Sequence, residues 1–178
     1  MDISSKSSFQ KTVFTALMIA IIFISGNLIK IPTVGGFVHL GDCMVLLSAV
    51  LLGKKRGAVA SGFGMALVDL YGGYLIWAPF TFIIKALMAY ITGYLIEVNH
   101  RRGYLVPFLV SGVFMVIAYF LSGAIIAFLF TGSSNTLIGA LMYSAKDIFG
   151  NIIQVGVGIV IALPLSKVLY KEEKKSFN

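Results

Sequence analysis

Long apolar runs broken by short polar interruptions dominate the chain, and their lengths match a bilayer. A helix crosses a hydrocarbon core of roughly 30 Å with about 20 apolar residues. Val13–Ile29 meets that length. Cys43–Leu52 and Ala58–Tyr71 are shorter and flank the turn Gly53-Lys54-Lys55-Arg56-Gly57, which predicts two short or tilted spans. Pro79–Ile96, Leu105–Phe130 and Leu137–Leu169 supply the remaining three. Pro79 suits a first helical turn, and Pro164 is expected to kink or end the last helix. The pattern predicts an all-α integral membrane protein with six transmembrane helices. It forms one domain over residues 1–178, with a short N-terminus (1–11) and a C-terminal tail (171–178).

Composition agrees with the pattern. The chain is 58% hydrophobic and 12% charged, against about 45–50% and 25% in soluble domains. That excludes a soluble enzyme or a nucleic-acid-binding module, despite the net charge of +7. Lys6 and Lys11 before the first run resemble the start of a secretory signal. A signal's apolar region is about 7–15 residues, however, and no Ala-x-Ala site follows, so the run is read as a retained span. A single cysteine, Cys43, gives no disulfide framework within the chain and no cysteine-based metal cage. His39 and His100 cannot form a histidine-rich metal site alone, and no metal is expected.

Most of the 14 Lys and Arg fall on the N-terminus, the Lys54-Lys55-Arg56 turn, Arg101-Arg102 and the C-terminal Lys167, Lys171, Lys174 and Lys175. The positive-inside rule makes these segments cytoplasmic, with both termini inside. The outer connections are then Lys30–Leu40, Tyr71–Ala78 and Thr131–Thr136. Localisation follows as a multi-pass protein of the bacterial cell membrane.

Outside the cytoplasmic segments remain Lys30 in the first outer connection and five charges within or beside the other spans: Asp42, Asp69, Lys85, Lys146 and Asp147. Buried ionisable groups in a membrane are costly unless paired, and usually face a cavity. All five fall in the outer half of the bundle, Lys85 about 9 Å deep at 1.5 Å per residue. Lys85 either contacts a ligand or forms a structural ion pair with Asp69 or Asp147. As a ligand contact, it should be replaceable by Met with little loss of stability.

In the sixth span Tyr143, Asp147, Asn151 and Gln154 are spaced by four, four and three, and so share one helical face. Such a stripe suits hydrogen bonding to a small polar solute. It would equally serve as interhelical glue. Tyr74 and Trp77 in the second outer connection suit either an interfacial aromatic belt or stacking on a flat heteroaromatic ligand. His39 is likewise a ligand contact or an interfacial residue.

No phosphate-binding loop, His-Glu-x-x-His or Gly-x-Ser-x-Gly is present. Concentrative uptake would therefore draw its energy from another chain or from ions. Ala16 and Ala20 on the first span make a small-x-x-x-small pair that permits close helix approach. Gly57, Ala60, Ser61 and Gly64 on the third span offer a similar surface.

Val38-His39-Leu40-Gly41-Asp42, Leu51-Leu52-Gly53-Lys54-Lys55-Arg56-Gly57-Ala58, Asp69-Leu70-Tyr71-Gly72-Gly73-Tyr74 with Trp77-Ala78-Pro79 and Lys85, and the closing Lys146-Asp147-Ile148-Phe149-Gly150-Asn151-Ile152-Ile153-Gln154 together resemble the substrate-binding S components of energy-coupling factor (ECF) transporters. The resemblance spans essentially the whole chain. It implies a six-helix protein that binds a vitamin or precursor near its outer face, and no enzyme. It also implies association with a membrane-embedded coupling subunit and two cytoplasmic ATPases, which use the ATP, and toppling in the membrane to carry the ligand inward. Such proteins dock through an Ala-x-x-x-Ala motif, which maps onto Ala16 and Ala20.

Lys, Asp, amides and aromatics together favour a small hydroxylated heteroaromatic, pyridoxine or hydroxymethylpyrimidine, with riboflavin or pantothenate as alternatives. Another class is a stand-alone transporter driven by protons through Asp69 and Asp147. A membrane enzyme using Lys85 and Asp147 as acid and base is a third.

Overall fold

Gly53 organises the molecule, because the backbone there adopts φ 73°, ψ 175° inside an otherwise helical stretch. That conformation is open essentially to glycine alone. The computed structural model describes residues 7–28, 30–32, 37–98, 103–130 and 136–175. Lys6, His100, Arg101, Arg102 and residues 131–135 of the expected last outer connection lie outside the described residues, as do the side chains of Lys171, Lys174 and Lys175.

The elements are α1 (Ser8–Leu28), β1 (Lys30–Pro32), β2 (Phe37–His39), α2 (Gly41–Tyr71), α3 (Ala78–Val98), α4 (Leu105–Phe130), α5 (Leu137–Ala145) and α6 (Ile148–Lys175). Four stretches are long and apolar enough to cross a membrane: α1, α3, residues 105–129 of α4, and residues 137–169 across α5 and α6. The break at Gly53 divides α2 into segments of about 18 Å and 27 Å at 1.5 Å per residue. These correspond to the two short runs on either side of the basic turn.

Contacts fix how the helices run. Ile22 of α1 lies against Gly64, and Gly26 against Val68, so α1 and the second half of α2 run the same way. α3 returns antiparallel: Phe82 lies over Gly62, and Gly93 meets the backbone of Lys54. A Cβ at Gly93 would sit 2.6 Å from the Lys54 Cα, so glycine is what allows α3 to approach the turn. Lys54 Nζ donates to Glu97 Oε2 at 2.6 Å and lies 5.4 Å from the Tyr94 ring centroid. α4 runs back along α3, with Thr92 Oγ1 donating to Ser111 Oγ at 2.7 Å. The core between these helices contains Leu46, Met65, Val68, Met88, Phe108 and Met115. Outward-facing residues such as Val113, Ile117, Leu121 and Ile125 of α4 are apolar, as lipid contact requires.

Several sequence expectations change. The last run is interrupted at Lys146-Asp147, where Lys146 N bonds to Tyr143 O at 3.4 Å and Asp147 N to Ser144 O at 3.3 Å. These are three-residue spacings, a tighter turn than the α-helix, and the regular ladder resumes with Asn151 N to Asp147 O at 2.9 Å. Pro164, expected to kink or end the helix, does not end it, and α6 continues to Lys175. A helix is the form that satisfies its own backbone groups in an apolar medium, and proline is tolerated there. The connection from α1 to α2 adds a small antiparallel ribbon, with Lys30 opposite His39 and Pro32 opposite Phe37. The small residues of the third span are used internally. Gly57, Ala60, Ser61 and Gly64 are all buried, with Ser48 Oγ and Ser61 Oγ 2.8 Å apart. They join the two halves of α2 and seat α1, leaving no docking surface there.

Candidate functional site

The fold-back of α2 carries its first and last turns to the same end of the bundle. Asp42 opens the helix and Asp69 comes two residues before its end. Between them runs a continuous series of polar side chains. Lys85 of α3 forms an ion pair with Asp42, and neither side chain has exposed surface. The second carboxylate oxygen of Asp42 accepts from Gln154 Nε2 of α6 at 3.0 Å. Gln154 Oε1 in turn accepts from the backbone N–H of His39 at 3.2 Å. On the other side, Lys85 Nζ lies 5.1 Å from the Tyr119 ring centroid. The Tyr119 hydroxyl is 3.2 Å from Thr81 Oγ1 and donates to it, while the Thr81 hydroxyl interacts with the Asp69 carboxylate. Trp77 lies beside this end, its ring centroid 6.1 Å from that of Tyr119.

This arrangement corrects the expected partner of Lys85, which is Asp42 and neither Asp69 nor Asp147. The reason is register: the first turn of α2 lies alongside the middle of α3, level with Lys85. An ammonium paired in this way is neutralised. A Lys85→Met change would then leave Asp42 alone in the interior, so the expectation of little lost stability no longer holds.

His39 is buried at the end of the ribbon. Its Nδ1 accepts from the Gly41 N–H at 3.1 Å, which requires an unprotonated Nδ1. Burial pushes the imidazole down to about 4, against the opposing pull of Asp42. The folded-state value is thus below the ordinary 6.5, so the unfolded chain takes up this proton first as pH falls. The contribution of neutral His39 is therefore full above about 6.5 and lost progressively towards about 4. His39→Asn, whose Oδ1 can replace the Nδ1 acceptor, should give a flatter melting temperature between pH 7 and pH 4 than the unaltered protein, measured by thermal unfolding in detergent.

The structure brings together His39, Asp42, Lys85 and Gln154 and links them through Tyr119 and Thr81 to Asp69 and Trp77. Of the expected stripe, only Gln154 enters the buried part. Tyr143, Asp147 and Asn151, around the α5–α6 break, are half-buried. Lys146 is exposed, 5.4 Å from the Tyr143 ring centroid. Tyr74 is half-buried in the turn before α3, its N–H on Asp69 O at 2.9 Å and its own carbonyl accepting from Trp77 N at 3.0 Å. Ala16 and Ala20 are exposed on α1, opposite the buried Met18, Ile22 and Gly26.

Thr81 and Tyr119 are the residues that sequence reasoning missed. A tyrosine in the middle of the long, mostly apolar run Leu105–Phe130 was the available signal, since a buried phenol needs a partner.

Comparisons with known proteins bear on the whole chain. The family described as ECF-type riboflavin transporter, S component, matches residues 6–171. The thiamine precursor transporter HmpT of Lactococcus lactis subsp. cremoris is 28% identical over 176 residues, covering 95% of this chain and 93% of that protein. A Pyrococcus woesei protein, described as an uncharacterised protein in a gap 3′ region, is 31% identical over 144 residues, covering 80% of this chain and 88% of its own length. The crystal structure of an S-component for biotin from an ECF-type ABC transporter superposes with a TM-score of 0.65 at 20% identity, covering 92% of this chain and 95% of that one. The last is a likeness of fold alone. The family match takes in nearly the whole sequence, and the chain belongs to the S components of ECF-type vitamin transporters, within the riboflavin-transporter S component family.

Proposed function

We propose that this chain captures a small, hydroxylated heteroaromatic vitamin or precursor at the outer face of the membrane. A hydroxymethylpyrimidine is the first choice and pyridoxine the second. The observation that carries this is the polar series Gln154–Asp42–Lys85–Tyr119–Thr81–Asp69 ending beside Trp77. It offers donors and acceptors next to aromatic faces, and its ammonium is already balanced by a carboxylate. A site of that kind suits an uncharged ring with polar substituents. It gives an anion such as pantothenate no unpaired Lys85 to hold. The relative described as a thiamine precursor transporter adds support. Riboflavin is the second reading, favoured by the description of the matched family.

In this reading the chain has six spans, with the two segments of α2 counted separately and both termini cytoplasmic beside the Lys54-Lys55-Arg56 turn. His39, Tyr74, Tyr143, Lys146, Asp147 and Asn151 contribute to the ligand's surroundings. Delivery requires association, through Ala16 and Ala20, with a coupling subunit and two ATPases. Native mass spectrometry of the gently purified protein, followed by titration calorimetry with hydroxymethylpyrimidine, pyridoxine, riboflavin and pantothenate, tests the ligand class. Tightest binding of one of the first two is expected. Tightest binding of riboflavin or pantothenate would overturn the choice.

A further inference from the structure

The Asp69 carboxylate is incompletely satisfied. The residue is only 7% exposed, and its Oδ2 has no hydrogen-bond partner among the described residues. A buried acceptor left without a donor is costly, and native structures rarely tolerate one without a reason. Charges alone do not settle it, although Lys30 and Lys85 both act on this carboxylate electrostatically. What Oδ2 lacks is a hydrogen directed at it. Asp42 shows the contrast, since both of its oxygens accept, one from Lys85 and one from Gln154.

The neighbours narrow what can supply the hydrogen. The Tyr119 hydroxyl donates to Thr81, and although the Thr81 hydroxyl acts on the Asp69 carboxylate, Oδ2 is left without a partner among the described residues. Trp77 and Tyr119 present aromatic surface at the same end. A flat ring lying against them with an N–H at its edge would meet both needs. An aromatic amino group is such a donor: it lies in the ring plane and carries no charge that would have to be stripped of water.

We infer that Asp69 is the acceptor for a ring-amino group of the ligand and sets a preference for aminopyrimidines over the same rings without the amino group. The inference rests on the proposed capture of a small heteroaromatic, and goes further by naming the substituent and the residue that reads it.

The test compares two probes, 4-amino-5-hydroxymethyl-2-methylpyrimidine and the same pyrimidine with hydrogen in place of the amino group. Each is titrated into the purified full chain and into Asp69→Leu, an apolar replacement of similar size. The unaltered protein should prefer the amino compound by about 10- to 150-fold, the range for a hydrogen bond to a charged group. Asp69→Leu should bind both equally and weakly. Asp69→Asn, with thermal unfolding measured in parallel, substitutes if the leucine variant does not fold, and its preference should shrink several-fold. No preference in the unaltered protein, or the same preference in the variants, overturns the assignment. Failure of the unaltered protein to bind either pyrimidine, with another vitamin bound instead, overturns the proposed ligand class and this assignment with it.

Discussion

Lys85→Met should destabilise the ligand-free protein by about 3–5 kcal/mol, the usual cost of removing one partner from a buried ion pair. The loss arises because Asp42 would keep its carboxylate in a place without solvent and with Gln154 as its remaining side-chain donor. Adding Asp42→Asn to the same chain should restore most of the stability, since a neutral amide leaves no unpaired charge. Chemical or thermal unfolding of both variants in detergent measures this directly. A double variant no more stable than the single one would show that the pair is not what holds these helices together.

Replacing Ala16 or Ala20 with tryptophan should abolish uptake and leave ligand affinity unchanged. Both alanines lie on the exposed side of α1, away from the side that packs on α2. They also lie away from the polar series that begins at Asp42. Helices in lipid associate by close packing of small residues, so a bulky ring would keep a partner helix at a distance without disturbing the ligand. Transport in membranes containing the complete complex, alongside titration of the purified variant, separates the two effects. A parallel fall in affinity and uptake in a folded variant would place these residues in the binding machinery instead.

Much of the helical architecture was legible in the sequence, because apolar run length is a strong signal in a bilayer. The break between the two short spans could be located at the Gly53-Lys54-Lys55-Arg56-Gly57 turn. So could the polar character of Gln154. The identity of the Lys85 partner was not legible. Asp42, Asp69 and Asp147 are all expected in the outer half, and run lengths cannot say which one stands level with Lys85 across a helix interface. Thr81 and Tyr119 were missed for a related reason: isolated hydroxyls in apolar helices are common, and only the packing of α3 on α4 brings them between Lys85 and Asp69. The stripe on the last span assumed an unbroken helix. The tight turn at Lys146-Asp147 divides it and leaves Gln154 as its buried member. Small residues were ambiguous as well, since Gly64 and Ala16 look alike in a sequence. One seats Ile22 inside the molecule, and the other faces out.

Reconstitution into proteoliposomes tests the central claim, that this chain captures a ligand but depends on partners to move it. Labelled hydroxymethylpyrimidine would be followed into vesicles holding this chain alone, and into vesicles that also hold the coupling subunit and its ATPases with ATP on their side of the membrane. The chain alone should bind the compound and accumulate none, whereas the full complex should concentrate it whether or not a proton uncoupler is present. Concentrative uptake by the single chain, driven by an ion gradient and abolished by the uncoupler, would contradict the account.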